Sequence, residues 1–68
     1  MAIFQAGLCQ MHKGNLVPYD TVTIDTDGLP NAIKRAKAWS HTVETMEGSW
    51  LQVLFEGQAV ASLKPGEF

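Results

Sequence analysis

The clearest periodicity in the sequence is helical, and one segment carries it. Leu29, Ala32, Ile33, Ala36, Trp39, Val43 and Met46 recur at steps of three and four residues. At 100° per residue they fill a single stripe about 140° wide, the mark of an amphipathic helix with one buried side. Within it, AIKRAKAW is rich in strong helix formers. Asp27 is placed to cap the start, Pro30 is tolerated in the first turn, and Gly48 is placed to end the element. These signals predict a helix over about 29–47. One helix covers one face of one sheet, so the rest of the chain must be arranged around that limit.

The rest alternates as strands do. Ile3–Met11 and Leu16–Asp25 flank HKGN, where Gly14 and Asn15 supply turn chemistry. TVTID sets Val22 and Ile24 against Thr21, Thr23 and Asp25, the period of a half-buried strand. Pro18 has no N–H for a ladder, which predicts an edge strand or a bulge at that point. After Gly48, SWLQVLF and QAVASL are joined by Glu56-Gly57. A two-residue turn there sets Phe55 opposite Gln58, Val53 opposite Val60 and Trp50 opposite Leu63. The expected fold is α+β: a four-stranded, mainly antiparallel sheet in the order β-β-α-β-β, with one helix packed on one face.

This order of elements, with AIKRAKAW in the helix and WLQVLFEGQAVASL as the closing hairpin, resembles small bacterial β-β-α-β-β domains of unknown function. Ala32, Ala36, Gly57 and the strand spacing carry the resemblance. It implies a fold and no activity.

At 68 residues the chain makes one domain, read as 1–64 with a tail over 65–68 that Pro65-Gly66 turns out of regular structure. A domain of this size buries only about 60% of its unfolded surface, so a partner subunit is a common supplement. Cys9 is the single cysteine, which excludes an intrachain disulfide and suits a reducing compartment. The N-terminal stretch lacks the pattern of a signal peptide, and no apolar run is long enough for a membrane helix. The expected location is the cytoplasm, with no membrane association. A net charge of −2 argues against nucleic acid as the main partner.

The hairpin register assigns apolar residues to both sheet faces. Leu51, Val53, Phe55 and Val60 fall on one, and Trp50, Leu54, Ala59, Ala61 and Leu63 on the other. The first strand divides similarly, with Ile3, Cys9 and Met11 against Phe4, Ala6 and Leu8. A sheet with a solvated face should alternate apolar with polar. An uncovered apolar face marks an interface, so Phe4, Leu8, Trp50, Leu54 and Leu63 are the candidate dimer or ligand face. The expectation is a homodimer formed through the uncovered face, a module that binds a protein or small ligand and performs no catalysis; one alternative is a small enzyme using Cys9 and a histidine.

Other constellations carry less. Cys9-x-x-His12 is half of a metal site, and zinc needs four ligands. Cys9 with His12 or His41 would serve as nucleophile and base only if the two met in space. Asp20, Asp25 and Asp27 precede the helix, where capping and the helix dipole already account for acids. Lys34, Lys37 and His41 run down the outer helix flank, a candidate contact for an anion or partner. Arg35 lies on the other flank, four residues before Trp39. With the lysines it gives an alternative reading as a nucleic-acid accessory protein. Neither a cofactor nor a metal is expected.

Overall fold

The computed structural model describes residues 2–68. Strands β1 (Ala2–His12) and β2 (Asn15–Thr26) precede helix α1 (Leu29–Ser40), and β3 (Trp50–Phe55) and β4 (Gln58–Leu63) follow it. The four strands form one antiparallel sheet in the spatial order β2-β1-β3-β4. The fold is thus α+β, as the sequence pattern predicts. Both hairpins close through two residues with positive φ. In the first these are Lys13 (51°) and Gly14 (82°), and in the second Glu56 (52°) and Gly57 (82°). Such turns match the right-handed twist of the strands, and they favour glycine at the second position.

β1 lies between β2 and β3 and is antiparallel to both, so β2 and β3 run parallel on either side of it. Parallel strands need a long crossover, and the segment from Asp27 to Ser49, which contains α1, provides it. The helix lies on the face that carries Phe4, Ala6 and Leu8 of β1, Ile24 of β2, and Leu51 and Val53 of β3. Ala6, Ala32 and Ala36 are fully buried. They share one buried cluster, whereas the opposite face carries Gln5, Gln52, Thr21 and Thr23, whose polar groups a covering helix would strip of water, and this difference explains the choice of face. Leu8, Leu51 and Val53 fill the core beside them, each contributing about 1.5–3 kcal/mol on burial. The Phe4 and Phe55 rings meet at 5.0 Å between centroids and tilt by 41°.

The helix is shorter than predicted and begins one residue later than its expected cap implies. Gly28 is the N-cap, with no side-chain cap bond, and its carbonyl accepts the first helical bond from Ala32 N–H at 3.0 Å. Asp27 therefore stands outside the cap position, where its Oδ1 accepts from Asn31 Nδ2 at 2.7 Å. At the other end α1 stops at Ser40 rather than near 47. Ser40 Oγ donates to the Lys37 carbonyl (2.6 Å) and Thr42 Oγ1 to the Trp39 carbonyl (2.7 Å). These side chains satisfy carbonyls that a further turn would have used, and the β-branched Thr42, Val43 and Thr45 disfavour that turn. Val43 still packs on the core, but Met46 is 49% exposed. Gly48, with φ of 80°, turns the chain into β3 instead of ending the helix.

Each hairpin also contains a register shift. In β2, Asp20 pairs with Leu8 and Pro18 with Cys9, which leaves Tyr19 as the extra residue of a bulge. β2 is an edge strand, so Pro18 sits where a missing N–H is tolerated. The bulge turns Tyr19 towards the loop before β3. Its hydroxyl lies 2.7 Å from Ser49 Oγ and accepts from Met46 N–H at 3.0 Å. In β4 the extra residue is Val60: Leu54 pairs with Ala59, whereas Val53 pairs with Ala61 and Leu51 with Leu63. The simple register of the sequence reading is therefore off by one beyond Ala59. The bulge moves Ala61 and Leu63 onto the helix side, where both pack against the core.

Beyond β4, the chain turns at Gly66 (φ 88°), and Glu67 N–H donates to the Lys64 carbonyl at 3.0 Å. Phe68 then packs against the core cluster, so the C-terminal segment takes part in the domain's packing.

Candidate functional site

The register defines the face that α1 leaves uncovered. Across the sheet it runs in rows: Thr23–Gln5–Leu54–Ala59, then Thr21–Gly7–Gln52–Ser62, then Pro18–Cys9–Trp50. Ile3 opposite Asp25 closes one end, and Met11 opposite Leu16 the other. Ile3 is 54% and Met11 51% exposed, and Trp50 and Leu54 are half-buried. The apolar residues thus form two groups, Ile3 with Leu54 at one end and Trp50 with Met11 at the other. A row of threonine, glutamine and serine separates them.

The residues expected to share a binding face are divided between the two sides of the sheet. Trp50 and Leu54 lie on the uncovered face. Phe4 and Leu8 are buried beneath α1, and Leu63 packs against the same core. The reason for Phe4 and Leu8 is that the helix covers the more apolar side of the sheet. For Leu63 it is the Val60 bulge. The uncovered face is also more polar than predicted, because Gln5, Gln52, Thr21 and Thr23 all lie on it. Beside Leu54 a shallow hollow of about 310 Å³ is lined by Ile3, Gln5, Leu54, Glu56 and Gly57.

Cys9 belongs to this face by register yet is only 1% exposed. Its thiol lies 3.6 Å from the Gly7 carbonyl and 3.7 Å from Gln52 Oε1. Burial pushes its pKa up, away from the depressed range of a reactive thiolate. His12 and His41 are exposed and neither is a hydrogen-bond partner of the thiol. Among the described residues, no cluster of three or more His, Cys, Asp or Glu is arranged to hold a metal ion.

On the helix, Lys34 and His41 are exposed and Lys37 is half-buried. His41 N–H closes the helix end on the Ala38 carbonyl at 3.2 Å. Arg35 reaches back along α1, with Nη1 3.5 Å from the Asp25 carbonyl. It thereby joins a polar junction between β2 and α1, a hollow of about 340 Å³ lined by Asp25, Thr26, Asp27, Asn31 and Arg35. The Asn31 amide, foremost, holds the Asp27 carboxyl below its ordinary pKa, helped by a backbone N–H, Thr26 and the Arg35 charge. A depressed carboxyl pKa contributes stability above the unfolded value. That contribution is lost as pH falls through the folded value. Asn31→Ala should therefore raise the Asp27 titration midpoint, read from its carboxyl carbon by NMR, and weaken the fold most above the acid transition. An unmoved midpoint would remove Asn31 as the principal cause.

Among the described residues, no helix is long and apolar enough to cross a membrane. No family model, curated protein or solved structure matches this chain.

Proposed function

We propose that this protein is a non-catalytic interaction module that works as a homodimer and presents its uncovered sheet face to a protein partner. The observation that carries the reading is the pair of apolar groups left in solvent on that face, Ile3 with Leu54 and Trp50 with Met11. Exposed apolar surface of this kind marks interaction sites in small soluble domains. Polar residues between two apolar anchors also fit protein recognition, where interfaces combine aromatic and Met anchors with hydrogen-bonding groups. The molecule measures 34 × 23 × 17 Å, so its broad face matches the roughly 800 Å² per partner of a standard interface. Occluding that face with a second copy would consume all of it, which favours a dimer contact elsewhere and leaves the face to the partner.

Two measurements test the reading. Sedimentation equilibrium should give twice the chain mass from low to high micromolar concentration, and a monomer mass throughout would remove the homodimer. An environment-sensitive apolar dye should bind the native protein and lose that binding in Leu54→Glu, with the melting curve unchanged. A native protein that binds no dye would remove the working surface.

A further inference from the structure

We infer, resting on the partner-binding reading above, that the hollow beside Ile3 and Leu54 on the uncovered face receives an arginine side chain of the protein partner. The hollow, about 310 Å³, has an apolar floor from Ile3 and Leu54. Its one charged lining group among the described residues is the Glu56 carboxylate, with the Gln5 amide also on the wall. Ile3 is 54% exposed, Gln5 and Glu56 are exposed and Leu54 is half-buried, so floor and polar groups are open to an arriving side chain. Glu56 is the first residue of the tight β3–β4 turn, with φ of 52°, so the hairpin fixes its position. The register places a second carboxylate, Asp25, opposite Ile3. Arg35 reaches the Asp25 backbone carbonyl and does not line the hollow.

Size and charge select the occupant. Sites that enclose small molecules run from about 300 to 1,000 Å³ and cover most of the ligand. This hollow is at the lower limit and shallow, which suits one side chain offered by a larger surface. That side chain must be apolar along its length and positive at its tip. Lysine and arginine both lay an aliphatic stem on apolar surface and keep the charged head in water. Arginine is the better match, because its planar head gives two parallel N–H bonds to a carboxylate and keeps donors for the Gln5 side-chain oxygen. Arginine is also enriched at protein interfaces, where lysine is depleted. An acidic side chain of the partner would instead meet Glu56 and Asp25 as like charges. At the other end of the face, Trp50 and Met11 share their rows with Pro18, Cys9 and Leu16, none of them charged. The arginine seat therefore sets the direction in which the partner lies across the sheet.

The test is amide-shift mapping by NMR with three capped amino acids as probes: N-acetylarginine amide, N-acetylnorleucine amide (a stem without the charge) and N-acetylglutamate amide. The arginine probe should shift the Ile3, Leu54 and Gly57 amides saturably. Norleucine should need roughly 3-fold more for the same effect, the worth of one solvent-exposed charge pair, and glutamate should bind most weakly. Glu56→Gln should bring arginine down to the norleucine level and leave norleucine unchanged, and the same spectra show whether the variant is folded. Glu56→Lys should make glutamate the better probe, and added salt should weaken arginine alone. Arginine and norleucine that bind the wild type alike, or arginine binding that Glu56→Gln leaves unmoved, would overturn the inference. If no probe shifts these amides but the apolar dye still binds and Leu54→Glu abolishes it, the arginine seat falls and the working face stands. A native protein that takes up neither probe nor dye would overturn both.

Discussion

Leu8→Ala should move the chemical-denaturation midpoint further than any exposed substitution. Leu8 lies at the centre of β1, fully buried, with Leu51 opposite it on β3. Truncating a buried leucine costs about 2–5 kcal/mol, the removed methyl groups plus the cavity they leave. A chain of this length is worth roughly 3–10 kcal/mol in total, so the variant should lose a large part of its stability. Ile3→Ala, on the same strand but on the uncovered face and 54% exposed, should change it by no more than about 0.5 kcal/mol. Similar midpoint shifts for the two variants would mean that α1 does not cover the Phe4–Leu8 face.

The second large effect comes from adding volume. Ala32 and Ala36 are fully buried against a sheet whose facing residue, Ala6, is equally small and equally buried. Ala36 is fully buried in a cluster of closely packed side chains, so a leucine there must push the helix, the strand or its neighbours out of place. Overpacking of this kind costs about 1–3 kcal/mol, roughly a 10 °C fall in melting temperature for a domain of this size. Ala38→Leu is the control, since Ala38 is exposed on the same helix and both residues are good helix formers. If Ala36→Leu melts with wild type, the close approach of helix and sheet is wrong.

The elements were legible in the sequence because each rests on a local signal: the helical stripe, the alternation of TVTID, the two glycine turns. The helix end was not. Val43 continues the stripe and still packs on the core, whereas the hydroxyls of Ser40 and Thr42 and the N–H groups of His41 and Thr42, turned onto the last carbonyls, mark where the backbone leaves the helix. The sheet faces were half legible. Trp50 and Leu54 fall where period-two counting places them. Leu63 does not, because one extra residue at Val60 reverses every assignment beyond it, and nothing in QAVASL announces a bulge. Phe4 and Leu8 needed a different fact, which side of β1 the helix chooses. The pairing that gathers Gln5, Gln52, Thr21 and Thr23 on the other face contains that answer, but only once the register is known.

The central position of β1 has a consequence for how the chain is made. β1 is synthesised first, and the β2 hairpin can close on it at once, since the turn needs only Lys13 and Gly14. Its other neighbour, β3, begins at Trp50. Until then the inner edge of β1 stands open, with Phe4, Ala6 and Leu8 uncovered, and closing it requires pairings between residues more than 40 positions apart. Such contacts form late, after the entropy of a long loop has been overcome. The nascent hairpin therefore spends the synthesis of about half the chain with its most apolar strand exposed, the interval in which aggregation competes with folding.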